Sequence, residues 1–413
     1  MRGGNELFKV LTVGEAMERL RPYLLPFYER VEEVSLDEAW GRIVATDIFA
    51  SCSVPHYRKS TVDGMAVRSS DTFGASESLP AFVTKTGEIF MGQAPEKTVS
   101  KGEGMLIPTG GMLPDGADAV VMVENLENFG DSLYGAAKPA APGENVIEVG
   151  EDILAEESVF KKFTVIRAPE MGILAAQGIV SVPVITRMRV GILSTGDEIV
   201  PPGKAPGSAQ TRDINGYSLL GQGQETGSIV RYYGIVGDDE AELRQKLQGM
   251  LEENDLVILS GGSSVGSRDL TAGLIEEAGE PGLLFHGLAL RPGKPTIAGV
   301  VNGKVVFGLP GHPASAMIVF DCLIRPWLTA SIMRDIDTPL PEGILTQNIY
   351  SGSGREEFVR VQLQKQGDDW YVEPIRGKSG LIRTMVRSDG LVHIGLDTEG
   401  LEAGQRVQIK LRQ

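Results

Sequence analysis

The chain of 413 residues and 44.3 kDa carries 39 Lys and Arg against 55 Asp and Glu, a net charge of −16. A surface that tracks phosphates needs a basic footprint, so this balance argues against generic binding to nucleic acid or an anionic membrane. A hydrophobic fraction of 42% supplies real cores, and the length suits about two to four domains.

The two cysteines, Cys52 and Cys322, lie in unrelated contexts. They suggest neither a disulfide framework nor a thiolate metal cluster, which fits a reducing, cytoplasmic setting. The first twenty residues lack an apolar signal core, and no run reaches the roughly 18 uncharged apolar residues of a membrane span. Glycine is in excess, with 52 residues where average usage is roughly 7%. Loops of unusual backbone conformation, of the kind that cradle phosphates, are therefore expected.

Short helices are predicted in the first fifty residues, because Thr12 with Glu15 and Ser35 with Glu38 have capping-box spacing. From Val54 to Gly150, short apolar runs broken by Gly, Pro and Asp predict a separate β-rich unit. MGILAAQG, after Pro169, reads as a short helix stopped at Gly178. From Arg189 onward, apolar strands at Val190 to Leu193, Ser228 to Val236 and Leu256 to Leu259 alternate with helical segments. In one of these, Leu243, Leu247, Met250 and Leu251 share a face. That alternation predicts parallel βαβ units with functional loops at the carboxyl ends of the strands. After Pro339, FVRVQL, GLVHI and RVQIKL predict a small terminal β-domain.

Three loops follow such strands. Thr195, Gly196, Asp197 and Glu198 offer backbone donors, a hydroxyl and carboxylates suited to a hard cation, though a turn with exposed acids has the same composition. Ser260, Gly261, Gly262, Ser263, Ser264, Val265 and Gly266, followed by Asp269, let the backbone approach a ligand closely. The same run contains G-x-S-x-G at Gly262, Ser264 and Gly266, a serine-hydrolase alternative with His286, His312 and His393 downstream. In GLPGHPAS, Pro310, Gly311 and Pro313 lead from a strand into a helix whose free donors suit phosphate; a stiffened helix entry is the structural alternative. Arg291 and Lys294 flank a tight turn as an anion clamp, without Walker spacing. The four histidines share no ligand spacing, so the loop acids suit magnesium better than zinc. GQGQETG ends a helical segment rather than opening one, which argues against a nicotinamide cofactor.

Taken in order, PHYRKSTVDGMAVR, IPTGGMLPDGADAVVMVE, GENVIEVGEDI, GILSTGDEIV, SGGSSVGSRD, RPGKP and GLPGHPASA resemble the molybdopterin molybdenumtransferases, the MoeA and gephyrin E-domain family. The resemblance spans nearly the whole chain and implies a multi-domain α/β plus β fold. A helical and extended first domain (1–53 and 151–186) would carry an inserted β-domain (54–150). A three-layer α/β molybdopterin-binding domain with a parallel or mixed sheet (187–334) and a β-barrel-like domain (335–413) would follow.

The resemblance implies a cytoplasmic homodimer that uses Mg2+ to insert molybdate into adenylylated molybdopterin with release of AMP, downstream of a molybdopterin adenylyltransferase-type enzyme. By motif, Asp63, Glu198, Asp238 and Asp269 would be the catalytic acids, with Glu198 and Asp269 orienting the metal. Thr109, Asp152, Thr195, Gly196, Ser260, Gly261, Gly262, Ser264, Arg291, Lys294, Pro310, Gly311, Pro313, Arg355 and Ser379 would bind substrate. Ile147, Glu148 and Val149 stand where members often carry basic residues, Gly287 and Arg291 where a Lys is usual, and Met65 where an aromatic is usual; Arg58 and Lys59 are candidate compensating cations. These departures leave open a scaffold that binds pterin without turnover, or a tungsten-specific paralogue.

Overall fold

A computed structural model describes residues 10–261, 265–333, 340–352, 354–367, 369–377 and 383–411; side chains are described except at 265–269, 333 and 383. The chain divides into two compact units, Glu33–Val184 and the remainder, Met1–Glu32 with Ile185–Gln413. The N-terminal helix therefore groups with the residues from Ile185 onward rather than with the rest of 1–53.

In the larger unit the Thr12 side chain accepts the Glu15 N–H at 3.1 Å, and Glu15 returns the bond to Thr12 N–H at 2.9 Å. This capping box starts the helix Val13–Leu20, which buries Ala16 and Leu20.

The α/β portion holds a six-stranded sheet in the order Ile229–Val236, Arg189–Thr195, Leu256–Gly261, Lys304–Leu309, Ile297–Val301, Pro281–His286. The first four strands are parallel, Ile297–Val301 runs opposite to them, and Pro281–His286 pairs antiparallel with Ile297–Val301, a mixed sheet. Helices Glu240–Glu253 and Val265–Ala278 pack on one face through Leu243, Leu247, Met250, Leu274 and Ile275. Asn215–Glu225 packs against the neighbouring strands and the helix Pro313–Val319, completing three layers.

The helical stretch Pro313–Ile332 is long and apolar enough by composition to cross a membrane, yet 72% of its apolar window is buried within the fold. It carries the Arg325–Asp321 ion pair at 3.0 Å. Burial against protein accounts for its composition.

Beyond it, Glu356–Gln366, Asp369–Pro374, Glu342–Leu345, Arg406–Leu411 and Gly390–Ile394 pair in sequence, and the last returns to the first. This closes a five-stranded barrel around Val361, Val372, Val392, Val407 and Ile409.

In the smaller unit, Ala119–Met122, Gly64–Val67, Glu103–Ile107, Ala81–Glu88, Leu133–Ala136 and Leu126–Asn128 form a six-stranded sheet. Alternation puts Ala66, Met105 and Val120 in one core cluster and Met65, Val67 and Val121 in another, so both faces are covered. A further cluster joins Ala39, Val44 and Ile48 to Phe160, Ile166, Leu174 and Val184. The helix Ala168–Ala176 ends as expected, with Gly178 in the left-handed region at φ +68°. The helix expected at Ser35 is a single 3-10 turn, Leu36–Glu38, directly after the strand Val31–Ser35. There the Ser35 hydroxyl bonds the Glu38 carboxylate at 3.1 Å instead of capping the backbone.

Candidate functional site

The parallel register Ser194↔Ser260 and Thr195↔Gly261, with Ser260↔Leu309 beside it, aligns the carboxyl ends of three adjacent strands. The three motif loops leave the sheet there. Thr195 is 4% and Ser260 1% exposed, so both serve the base of the site. Gly261 is required sterically, because a Cβ there would fall 2.0 Å from the Thr195 carbonyl oxygen and its φ is +154°. At Gly196, φ +141°, an added Cβ would lie 2.6 Å from Glu198 Oε2, so the Glu198 carboxylate folds back over the glycine. The Gly196 N–H donates to Val236 O at 3.1 Å and the Asp238 N–H donates to Asp197 Oδ1 at 3.1 Å. The VGDD and TGDE loops are thus tied together.

Asp238 is held above the usual carboxylate range, first by burial and then by the negative charges of Asp197 and Glu198. Among the described residues no group of three or more His, Cys, Asp or Glu is arranged to hold a metal ion. Magnesium needs no such cage, since it keeps several waters and uses one or two carboxylates with substrate phosphates. The mutual repulsion at Asp238 is what a divalent cation would relieve, so the acids here fit that ion. Gly262, Ser264 and Ser379 lie outside the described residues, as does the Asp269 side chain, although the helix Val265–Ala278 that carries Asp269 follows the loop.

Sequence reasoning missed the residues that brace these loops. Asn215 Nδ2 donates to Ser260 Oγ at 2.8 Å and to the carbonyls of Gly311 at 3.0 Å and Pro310 at 3.4 Å. One buried amide therefore joins two motif loops, and its own Oδ1 has no partner. Two residues earlier, buried Asp213 accepts from Ser194 Oγ at 2.8 Å, the Gly216 N–H at 3.0 Å and the Tyr232 hydroxyl. The Tyr232 hydroxyl is pushed well up, chiefly by burial and then by Asp213. The RDIN run containing both residues looks like an ordinary polar turn in sequence, and only its position before a helix hints at a brace.

A cleft of about 480 Å³ opens beside these loops, lined by Arg291, Lys294, Arg355, Pro310, His312 and Ser315 among others, with no Asp or Glu in its lining. Parallel pairing of Leu290–Arg291 with Glu356 and Glu357 brings Arg355 to the clamp from far along the chain. Pro313 starts the helix that His312 caps by position, with no capping hydrogen bond from its side chain to the helix.

Asp63, Thr109 and Asp152 belong to the smaller unit. Thr109 donates both its N–H, at 2.7 Å, and its hydroxyl, at 3.0 Å, to Asp63 Oδ1. The N–H and then the hydroxyl hold Asp63 below the usual carboxylate range. The antiparallel register Gly64↔Ile107 places them at neighbouring strand ends. Asp152 is exposed, with its N–H on Val54 O at 3.1 Å. Lys59 lies directly opposite Ile147 in a two-stranded ladder, which sets a cation beside a position where basic charge is absent. Gly287 has φ +115° and faces Val10, a conformation a Lys would adopt only with strain.

Three family profiles match the chain: the MoeA N-terminal region (domain I and II) at residues 11–178, the "probable molybdopterin binding domain" at 191–330 and the MoeA C-terminal region (domain IV) at 342–411. A protein of Methanocaldococcus jannaschii named for molybdopterin biosynthesis is 35% identical, with 95% of each chain covered. A molybdopterin molybdenumtransferase of Haemophilus influenzae is 31% identical, covering 97% of this chain and 98% of its own. The crystal structure of a molybdopterin biosynthesis MoeA protein from Pyrococcus horikosii superposes with a TM-score of 0.81 at 36% identity, over 98% of this chain and 99% of the other.

Proposed function

The chain belongs to the MoeA family of molybdopterin molybdenumtransferases and is an enzyme of molybdenum cofactor biosynthesis, and from that membership we propose that it inserts molybdate into adenylylated molybdopterin with Mg2+ and releases AMP. The observation that carries the reading is the cleft of Arg291, Lys294 and Arg355, a lining without a carboxylate in a chain of net charge −16. Such a site favours an oxyanion over the bulk of the protein's own surface.

In this reading Arg291, Lys294, Arg355 and Ser379 hold the oxyanion, while the SGGSS and GLPGHP loops receive the substrate phosphates through backbone donors. Glu198 and Asp269 would hold Mg2+, which when bound would supply positive charge for the substrate phosphates. Asp238, whose backbone is tied to Asp197, positions the pterin substrate; Asp63, fixed by Thr109, and Asp152 keep the catalytic and substrate-binding roles that the family motifs imply. The active form would be a cytoplasmic homodimer, with the four-domain division at residues 54, 151, 187 and 335, fed by a molybdopterin adenylyltransferase-type enzyme.

The test is incubation of purified protein with adenylylated molybdopterin, Mg2+ and either molybdate or tungstate, with AMP and metallated pterin as readouts. Release of AMP with molybdate is the expected result. Release only with tungstate would reassign the metal, and pterin binding with no AMP from either oxyanion would make the protein a scaffold.

A further inference from the structure

Within the larger unit, between the helix Asn215–Glu225 and the barrel, lies a second cleft, of about 670 Å³. Its lining carries two acids and two bases, Glu225, Asp321, Arg325 and Lys410. They satisfy one another: Arg325 bonds Asp321 at 3.0 Å and Glu225 at 2.8 Å, and Lys410 Nζ donates to the Asp321 carbonyl oxygen. The cleft of Arg291, Lys294 and Arg355 invites an anion, whereas this one is balanced in charge and suits an uncharged ligand.

Three features of the walls point to a ligand. In Asn215–Glu225, packing imposes Gly216 and Gly223, since a Cβ would come 2.5 Å from Asp213 Oδ2 at the first and 2.8 Å from Val230 Cγ2 at the second. Gly221 has no such reason, because no atom lies within 4 Å of where its Cβ would be. Glycine weakens a helix interior, so Gly221 keeps this stretch of the cleft open at a cost to its helix. Next to it Gln222 is 4% exposed; its Nε2 donates to Met317 O at 3.0 Å, and its Oε1 has no partner among the described residues. A buried amide oxygen without a donor is unfavourable, and a ligand in the cleft that Gln222 lines would supply one. The third wall is a π-helical turn, Phe320–Ile324, which carries Asp321; such turns recur at functional sites. Met317, Met385 and Leu391 cluster at the base and the half-exposed Tyr217 stands at the rim, a setting of soft sulfur and aromatic surface that favours a flat ring.

We propose that this cleft is an effector site for a small uncharged molecule that joins a flat apolar ring to an N–H donor, the ring against Tyr217 and the two methionines and the N–H on Gln222. The volume is within the range of about 300 to 1,000 Å³ usual for small-ligand sites. The helix that carries Gly221 and Gln222 begins at Asn215, whose amide holds Ser260 and the GLPGHP loop. Gln222 is tied in turn to Met317, on the helix Pro313–Val319 that the same loop enters. A ligand that fixes Gln222 thereby acts on the phosphate loops through this helix pair. The binding stands apart from the transferase reading, and only the effect on turnover rests on it.

The test is ligand-observed NMR titration of indole and of 1-methylindole into the full-length protein without substrate, with Gly221→Phe and Gln222→Met beside the parent. The parent should bind indole in the millimolar range or tighter and 1-methylindole at least about fivefold more weakly, since only indole brings the donor. Gly221→Phe fills the cleft from its own helix and should weaken indole at least about tenfold, with the melting temperature kept or raised. Gln222→Met keeps the length of the side chain without the amide, and should bring the two probes within about twofold of each other. No indole binding by the parent at several millimolar, or binding that Gly221→Phe leaves unchanged, would overturn the site. Equal affinity of the parent for both probes would remove the donor assignment. Saturating indole should change the rate of AMP release at least about twofold in the parent and not in Gly221→Phe. An unchanged parent rate would strike out the effector role and leave a binding site. Because binding is read without substrate, a failed transfer assay leaves it standing, and failure of indole to bind leaves the transferase reading standing.

Discussion

Asp197 Oδ1 accepts the backbone N–H of Asp238 at 3.1 Å, joining loops from two parallel strands. Gly237 belongs to the same contact, since a Cβ there would come 2.6 Å from Asp197 Oδ1. The bond positions Asp238, so, on the proposed role of Asp238 as a substrate-positioning acid, Asp197→Ala is expected to lower the rate of metal transfer by about 10- to 100-fold. Asp197→Asn keeps an acceptor and should retain more activity than the alanine variant. Steady-state kinetics with circular-dichroism melts checks both; equal losses in the two variants would assign the effect to charge rather than to loop position.

Asn215 is the larger structural commitment, because one side-chain amide serves Ser260, Pro310 and Gly311. Asn215→Ala leaves the buried Pro310 carbonyl and the part-buried Gly311 carbonyl short of a donor, and the expected loss is about 2 to 4 kcal/mol of unfolding free energy. Asn215→Asp should be worse, since it sets a carboxylate against those same oxygens. Urea denaturation measures the loss, and a change under about 0.5 kcal/mol for the alanine variant would show that water replaces the amide.

Regular hydrophobic patterning made most of this fold legible. The run of Leu243, Leu247 and Met250 and the alternation through Val359, Val361 and Leu363 each have one dominant period, and both elements form as read. The Thr12 and Ser35 motifs have the same spacing but different outcomes. Val13–Leu20 continues as a helix with an apolar face, whereas the Ser35 turn runs on from a strand and stops after three residues. Tertiary pairing overrode the cap. At the candidate site, loop composition pointed to Thr195, Gly261, Arg291 and Lys294. Asn215 and Asp213 stayed hidden because their meaning lies in burial and in partners far along the chain, and no local period encodes those.

The cleft of Arg291, Lys294 and Arg355 yields a prediction about oxyanion affinity. Lys294→Ala removes a flexible point charge, and Arg355→Ala a planar fork that can engage two oxygens at once. Each is expected to raise the KM for molybdate by about tenfold or more, with a smaller change in kcat, because charge-assisted bonds to the oxyanion form already in the ground state. Arg355→Lys should recover only part of the loss. If molybdate KM is untouched by either alanine variant while adenylylated molybdopterin binding falls, the cleft receives the pterin phosphate instead.

Glu356 provides a pH test of how the N-terminal helix is held to the barrel. Its Oε1 accepts the Val13 N–H at 3.1 Å and its Oε2 pairs with His393 Nε2 at 2.9 Å, with the Glu356 side chain only 14% exposed. The His393 bond, foremost, holds the carboxyl below its ordinary value of 4.5; the Val13 N–H adds to this, and burial opposes it. The unfolded chain therefore binds more protons between the two values, and stability rises with pH across that interval. The contribution is complete above the ordinary value of 4.5 and is lost as pH falls through the lower, folded value. Glu356→Gln should cost about 1 to 2 kcal/mol at pH 7, a gap that narrows as urea titrations move from pH 5 to pH 3. Parallel stability curves for parent and variant over that interval would show that the folded carboxyl titrates as it does in the unfolded chain, and that Val13 and His393 do not stabilise its charge.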